Sequence, residues 1–412
     1  VGDKLAILGG EPYRKTPFPA WPIIGEEELA TVTEVLRRGK LSSEGGEEVP
    51  KLEEEFAKAM GVDYAVAVTS GTAALDVAVA ALGIGPGDEV VTPAYSFISS
   101  ATCILQSCGL PVFADVELET RCIAPDSLRG AITDRTKAVI PVHFAGHPAD
   151  MDAVMELAER RGLRVIEDCA QAHLAELHGR KVGSIGDLGC FSFYQSKNMA
   201  AGEGGMITTN DRALAEACDS LRRHGRMRDK PWYAHYRLGW NYRMPELIAA
   251  VCRAQLRRLP AITEQRRRGA EYLSRRLEGL EGVKPPVAAW DVKHVYHLYC
   301  LSYEPWKVGV SKDRFVKALA AEGIPITEGY VTPLYENPIF QDREARGRTC
   351  AFSCSHVGRR VEYPKGLCPN AERLCYEAGP WLRGSILHAA EKDLDGVPGA
   401  LQRVLENAEK IP

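Results

Sequence analysis

The chain has 412 residues with 51 basic against 55 acidic side chains and a formal net charge of −4, and neither sign forms a long run. That balance leaves no electrostatic footprint of the kind nucleic-acid binding needs, and apolar runs such as "AVIPVHFAG" fall far short of the ~20 residues that span a bilayer. A chain this long folds as roughly two or three domains and buries roughly three quarters of its unfolded surface, so stability requires neither metal nor disulfide.

The opening "VGDKLAILGG" has no charged region followed by a long apolar stretch, so no signal peptide is expected and the reading is cytoplasmic. From about residue 22 to 258 two periods alternate. Short apolar, β-branched segments recur as "YAVAVTS" at 64–70, "DEVVTP" at 88–93, "PVFADV" at 111–116, "KAVIPVHF" at 137–144 and "RVIEDCA" at 164–170. Between them "TAALDVAVAALG" and "ADMDAVMELAERRG" carry apolar residues at helical spacing and stop at Gly83 and Gly162. Strands that are apolar throughout and separated by helices predict a parallel sheet covered on both faces. Ligands of such sheets collect at the carboxyl ends of the strands.

After residue 258 the texture changes. "LPAITEQRRRGAEYLSRRLEGL" predicts a long charged amphipathic connector helix, followed by strand-like "HVYHLYCLSY", a helix at "KDRFVKALAAEG" and a final helix near "EKDLDGVPGALQRVLENAEK". The expected division is a large domain over 22–258 and a smaller α/β domain made of 1–21 and 259–412. Most of the twelve cysteines sit inside these elements, among them Cys103, Cys169, Cys190, Cys218 and Cys252, as small buried hydrophobes do in a reducing compartment. Cys350, Cys354, Cys368 and Cys375, with His356 nearby, lack the paired C-x2-C spacing of a zinc site, and no metal is expected.

The chemistry gathers at strand ends. "VTSGTAAL" follows a strand and opens a helix, so Ser70, Gly71 and Thr72 offer N–H groups, hydroxyls and a helix dipole to an anion; the same residues also make an ordinary capping turn. Asp168 ends the strand "RVIED", either as a capping acid or as partner to a cationic ring nitrogen. An aromatic turn, "TPAYSF", carries Phe97. In "FSFYQSKNMAAGEGGMITT" Ser192 precedes Lys197, which stands before a glycine run around Glu203. Pyridoxal phosphate uses all four parts: an amine for a Schiff base, a carboxylate for its ring nitrogen, an anion site and an aromatic face.

The motifs S-G-T-A-A-L, E-D-C-A-Q-A-H, F-S-F-x3-K-x4-G-E-G-G and G-W-N-Y-R-M, in this order, resemble the DegT/DnrJ/EryC1/StrS family of fold type I aminotransferases over nearly the whole chain. The resemblance implies pyridoxal 5′-phosphate as cofactor, Schiff-base attachment at Lys197 and pairing of Asp168 with the pyridine nitrogen. It further implies that Gln171 bonds the 3-hydroxyl, that Phe97 stacks on the ring and that Ser70, Gly71, Thr72 and Ser192 hold the phosphate. Asn241 would reach the phosphate of a neighbouring subunit's cofactor, hence a homodimer with shared active sites. The implied reaction is ping-pong transfer of an amino group from glutamate or glutamine to a keto-cyclitol such as scyllo-inosose. A nucleotide-linked keto-sugar aminotransferase and an aminohydroxybenzoate synthase-like enzyme are the alternatives.

His297 in "HVYHLY" and Tyr330 in "EGYVTPLY" are candidate substrate contacts, with core positions in the small domain as the competing reading. Leu174 stands where glycine often follows His173 in the family, a packing change near the cofactor. Glu203 is expected to hold the glycine turn by a hydrogen bond. Two rivals share the fold: a dehydratase, which has histidine in place of the lysine, and a non-catalytic sensor. The Lys197, Asp168 and Ser192 set argues against both.

Overall fold

Seven strands form the central sheet: β1 (Tyr64–Val68), β2 (Glu89–Pro93), β3 (Leu110–Ala114), β4 (Thr136–Val139), β5 (Arg164–Asp168), β6 (Leu188–Ser192) and β7 (Gly205–Thr209). They lie in the order β1-β7-β6-β5-β4-β2-β3. The chain is described by a computed structural model over residues 4–288, 291–342, 350–353, 355–356 and 361–412. Strands β3, β2, β4, β5 and β6 pair in parallel, whereas β7 runs antiparallel to both β6 and β1.

Strand alternation splits the core into layers. Val66, Val90, Ala138, Ile166, Cys190 and Ile207 join Val77 and Leu221 in one buried cluster, while their neighbours Ala67, Val91, Val139, Val165, Phe191 and Met206 fall into clusters on the other side. Both faces are dry, which is why these strands read as apolar throughout rather than alternating. The covering helices include α1 (Glu26–Arg38), α2 (Glu48–Met60), α3 (Gly71–Ala81), α4 (Ser99–Gln106), α5 (Pro125–Ala131), α6 (Met151–Arg161) and α7 (Arg212–Leu221). Gly162 ends α6 at φ 63°, the left-handed cap its position predicts.

Two elements differ from expectation. The strand expected over 137–144 stops at Val139, and the chain then turns through Phe144–Gly146 with Ala145 at φ 57°. Residues 205–209, not read as a strand, form β7, so the stretch around Lys197 is a β-hairpin. Ser192 pairs with Gly205, and the ladder continues through Phe193 N to Gly204 O at 2.8 Å and Gln195 N to Gly202 O at 3.0 Å. The hairpin tip carries Lys197.

The connector helix α8 runs over Glu246–Leu277 with Pro260 inside it, so position 258 lies within this helix. A proline interrupts a helix by removing one hydrogen bond and crowding the preceding turn; here packing on both sides carries the helix through. Beyond it, β8 (Leu298–Cys300), β9 (Ile326–Thr327) and β10 (Trp381–Arg383) form an antiparallel sheet in the order β8-β10-β9. Helices α9 (Lys312–Ala321) and α10 (Gly396–Glu406) close over it. Leu5 packs in the same cluster as Leu273, Phe315, Leu382 and Val404, so N-terminal residues complete this core. The joint is polar as well: the buried Glu322 carboxylate accepts from the N–H groups of Ala6 and Tyr13, each at 2.8 Å, and from Arg403 Nη1 at 3.0 Å.

Cys103, Cys169, Cys190, Cys218 and Cys252 are buried free thiols. Of the C-terminal group, Cys368 and Cys375 are buried and His356 is exposed, while Cys354 and the Cys350 side chain lie outside the described residues. Among the described residues no helix is long and apolar enough to cross a membrane.

Candidate active site

The parallel strands deliver their loops to one edge, and there a cavity of about 530 Å³ opens between the sheet and the smaller domain. Its lining brings together Ser70, Gly71 and Thr72 after β1, Phe97 after β2, and Asp168 and Gln171 from the end of β5. Ser192 and Lys197 come from the hairpin, and His297 and Tyr330 from the smaller domain. Residues more than 250 positions apart thus share one wall set by topology. Asn241 is exposed and does not line this cavity; it bridges to Arg223 on a separate surface segment.

Ser70 caps α3, its Oγ accepting from the Ala73 N–H at 3.0 Å. The N–H groups of Gly71 and Thr72 precede the first intrahelical bond and remain available to a ligand. Two glycines bring the helix start and the hairpin into contact. A Cβ on Gly71 would sit 2.7 Å from the Ser192 Cβ, and one on Gly205 would sit 2.3 Å from the Ser70 carbonyl oxygen. Gly205, two residues after Glu203, therefore gives clearance to the protein's own helix cap, which seats the start of α3 against the lysine hairpin.

Asp168 is buried. Its Oδ2 accepts from the Ser100 hydroxyl at 2.8 Å, Ser100 meets Ser96 at 2.8 Å, and Oδ1 accepts from the Ala170 N–H at 3.1 Å. Burial raises its carboxyl above the ordinary value, opposed by the Ser100 and Ala170 hydrogen bonds and then by the Lys197 charge. Lys197 is half-buried, and desolvation pulls its amine down to about 8 against the opposing pull of Asp168. An amine near 8 is partly unprotonated at neutral pH, the condition for a nucleophile or general base.

Gln171 has its amide direction fixed, because Oε1 accepts from the Ala145 N–H at 2.7 Å. Its Nε2 is left as the donor. His297 is buried, with Nδ1 bonded to nothing among the described residues, and burial drives its pKa well below the usual histidine range, helped by Lys197 and Arg266. Tyr330 packs edge-on against Tyr95 and Trp381, at 5.5 Å and 5.2 Å between ring centres. Glu203 is exposed at the cavity and forms no hydrogen bond among the described residues, so the turn-holding bond expected of it is not seen. Leu174 sits at φ 63°, a left-handed position natural to glycine, with its side chain buried.

Sequence reading missed several participants. Ser96 and Ser100 lie in "YSFISS" immediately after a strand, and a hydroxyl-rich run at that place was a usable signal. Trp381 and Tyr194 also line the cavity, and nothing local marked Trp381. One polar group, His143 with Glu167 and Cys169, has ligand-like proximity. His143 Nε2 meets Glu167 Oε2 at 3.1 Å, its Nδ1 accepts from Ala149, and Glu167 Oε1 takes the Ile185 and Gly186 N–H groups. These bonds already satisfy the pair, which is a structural support beneath Asp168.

Known proteins are similar to this chain over three quarters or more of its length. An L-glutamine:2-deoxy-scyllo-inosose aminotransferase from Streptoalloteichus tenebrarius is 36% identical over 98% of both chains. A UDP-N-acetyl-3-dehydro-alpha-D-glucosamine 3-aminotransferase from Acidithiobacillus ferrooxidans is 42% identical, matching 75% of this chain and 81% of its own. The crystal structure of 3-amino-5-hydroxybenzoic acid synthase superposes with a TM-score of 0.85 at 31% identity, covering 95% of this chain and 99% of that one. The sequence profile of the DegT/DnrJ/EryC1/StrS aminotransferase family matches residues 22–366. With its lysine, carboxylate and helix N-terminus at one sheet edge, this chain is an aminotransferase and belongs to the DegT/DnrJ/EryC1/StrS aminotransferase family.

Proposed function

We propose that the protein moves the amino group of L-glutamine to a keto-cyclitol of the scyllo-inosose class, using pyridoxal phosphate bound at Lys197. The cofactor supplies an electron sink for the bond changes at the donor carbon. The residues present fit it. Ser70, Gly71, Thr72 and Ser192 would take its phosphate, Asp168 its ring nitrogen, Gln171 its 3-oxygen through Nε2, and Phe97 its face. Lys197 would be the catalytic residue that attaches it and, once released, moves protons at the donor carbon; desolvation keeps the amine ready for that.

One observation carries the choice of acceptor. Of the described residues lining the cavity, the charged ones are Asp168, Lys197 and Glu203, while the outer wall is Tyr194, His297, Leu298, Tyr330 and Trp381. Aromatic faces and single polar tips suit a neutral polyol ring, and no second cation on this wall would meet a diphosphate. The cyclitol aminotransferase is also similar from end to end, whereas the nucleotide-sugar relative matches 75% of the chain. A nucleotide-linked keto-sugar is the second reading, favoured by that relative's 42% identity. Protein loaded with pyridoxamine phosphate should regain the pyridoxal absorbance with scyllo-inosose or a 2-deoxy-inosose and stay unchanged with nucleotide-linked keto-sugars. The reverse pattern overturns the assignment.

The same reading includes a homodimer. Trp232, Tyr233 and Leu238 stand 72%, 81% and 93% exposed on the segment that leads to Asn241. Apolar side chains this open, next to arginines and outside their own cavity, suit a second copy whose cavity Asn241 would complete. Sedimentation should give a dimer, and Trp232→Glu together with Leu238→Glu should give monomers. Residues 22–258 are read as the cofactor-binding unit and 1–21 with 259–412 as the smaller one, supported by the cluster that unites Leu5 with Phe315 and Val404. A reducing cytoplasm suits the buried free thiols.

A further inference from the structure

The hairpin that carries Lys197 is held from outside the cavity by three distant segments. Trp21, in the N-terminal segment, donates its indole N–H to the Lys197 carbonyl at 3.1 Å. Its ring has two polar neighbours that also bond each other: His388 stacks on it at 4.8 Å between centres and 3° between planes, and the Arg266 guanidinium lies 4.5 Å from its centre. Arg266, on α8, is fully buried and has no carboxylate partner among the described residues. It donates from Nε to His388 Nε2 at 3.0 Å and from Nη1 to Asn198 Oδ1 at 2.7 Å and the Tyr296 carbonyl at 3.3 Å. Asn198, the residue after Lys197, donates from Nδ2 to the Val295 carbonyl at 2.9 Å.

A guanidinium stays protonated in a protein interior. Burying one against an indole face, an imidazole and two oxygens is a demanding arrangement, and every group that satisfies it except His388 and Tyr296 acts on the two residues at the hairpin tip. We propose that Trp21 and Arg266 are positioning residues that fix the peptide of Lys197 and keep its amine withdrawn from water. The inference rests on Lys197 being the reacting amine. It goes further in tying that amine's reactivity to the N-terminal segment and the connector helix rather than to the cavity wall alone. His388, which accepts from Arg266, stays neutral because burial pulls its pKa down to about 3, with the Arg266 charge adding to this.

Trp21→Phe keeps the stacked ring and removes only the N–H. Asn198→Ser detaches the tip from Arg266 and leaves the stack intact. With cofactor-free protein, the pH dependence of competitive acetylation at Lys197, read by mass spectrometry, gives the amine's titration midpoint. A loosened tip lets water reach the amine, so both variants should titrate higher than the parent by about 0.5 unit or more. In loaded enzyme kcat should fall about tenfold through misplacement, while KM for the donor stays within about twofold. Parent-like titration and kcat in both variants overturn the proposal, and so does a lowered melting temperature with parent-like titration and kcat, since the stack would then be structural only. Should Trp21→Phe fail to fold, Asn198→Ser decides. Failure of the parent itself to give a borohydride-trapped pyridoxyl adduct at Lys197 would defeat the functional reading instead, a result independent of the acetylation measurement.

Discussion

Lys197→Met should leave a folded protein that has lost turnover by about 10⁴-fold or more, since under the proposed function the variant has neither the attaching amine nor the group that moves protons at the donor carbon. Steady-state assay with glutamine and an inosose checks the first part. Stability checks the second, and its sign follows from the amine. Its value in the cofactor-free fold is about 8 against an ordinary 10.5. Below about 8 both folded and unfolded chains carry the charge, and the fold bears the full desolvation penalty. Between 8 and 10.5 the unfolded chain binds more protons, so the parent gains stability as pH rises. Above 10.5 the penalty is gone. Methionine removes it at every pH, so the variant should melt higher than cofactor-free parent at neutral pH, and the gap should close through that window. A variant that melts lower at neutral pH would show that Lys197 makes a stabilising contact instead.

The strands could be read because they are buried on both faces, which makes each a short unbroken apolar run, and helices with Gly83 and Gly162 behind them punctuate the pattern. The site residues adjoining those strands were legible for the same reason: Ser70, Asp168 and Lys197 each stand where an apolar run stops. Strand β7 escaped because "GMITT" begins at a glycine and continues with threonines, and it earns its place by pairing with both β6 and β1. Helix α8 was read short because Pro260 looks like a boundary in isolation; contacts from elements far away in sequence overrule the local signal. Trp381, Trp21 and Arg266 carried no local mark. What assigns them is a fold that returns distant segments to the lysine hairpin, and periodicity contains no information about that return.

The Ser96–Ser100–Asp168 relay explains why the second large effect should appear without loss of the fold. Asp168→Asn keeps the shape. The asparagine Oδ1 can take the Ala170 N–H and its Nδ2 can donate to Ser100, whose hydroxyl then turns to Ser96, because each serine can serve as donor or acceptor. What disappears is the negative charge. In the cofactor-free protein that charge is unfavourable: burial raises the folded carboxyl above its ordinary 3.8, so the penalty is full above the folded value and absent below 3.8. Cofactor-free Asp168→Asn should therefore melt at least as high as the parent at neutral pH, and its advantage should shrink as the pH falls toward 3.8. With pyridoxal phosphate present the order reverses. A carboxylate facing a cationic ring nitrogen makes a charge-assisted bond, and its loss should weaken cofactor retention by about 10- to 100-fold. Turnover should fall by about 10²- to 10³-fold, the scale for removing one electrostatic partner of a reacting group. Equilibrium binding of the cofactor, melting with and without it, and kcat measure the three parts separately. A variant that binds the cofactor and turns over like the parent would mean that Asp168 serves only to cap the end of its strand.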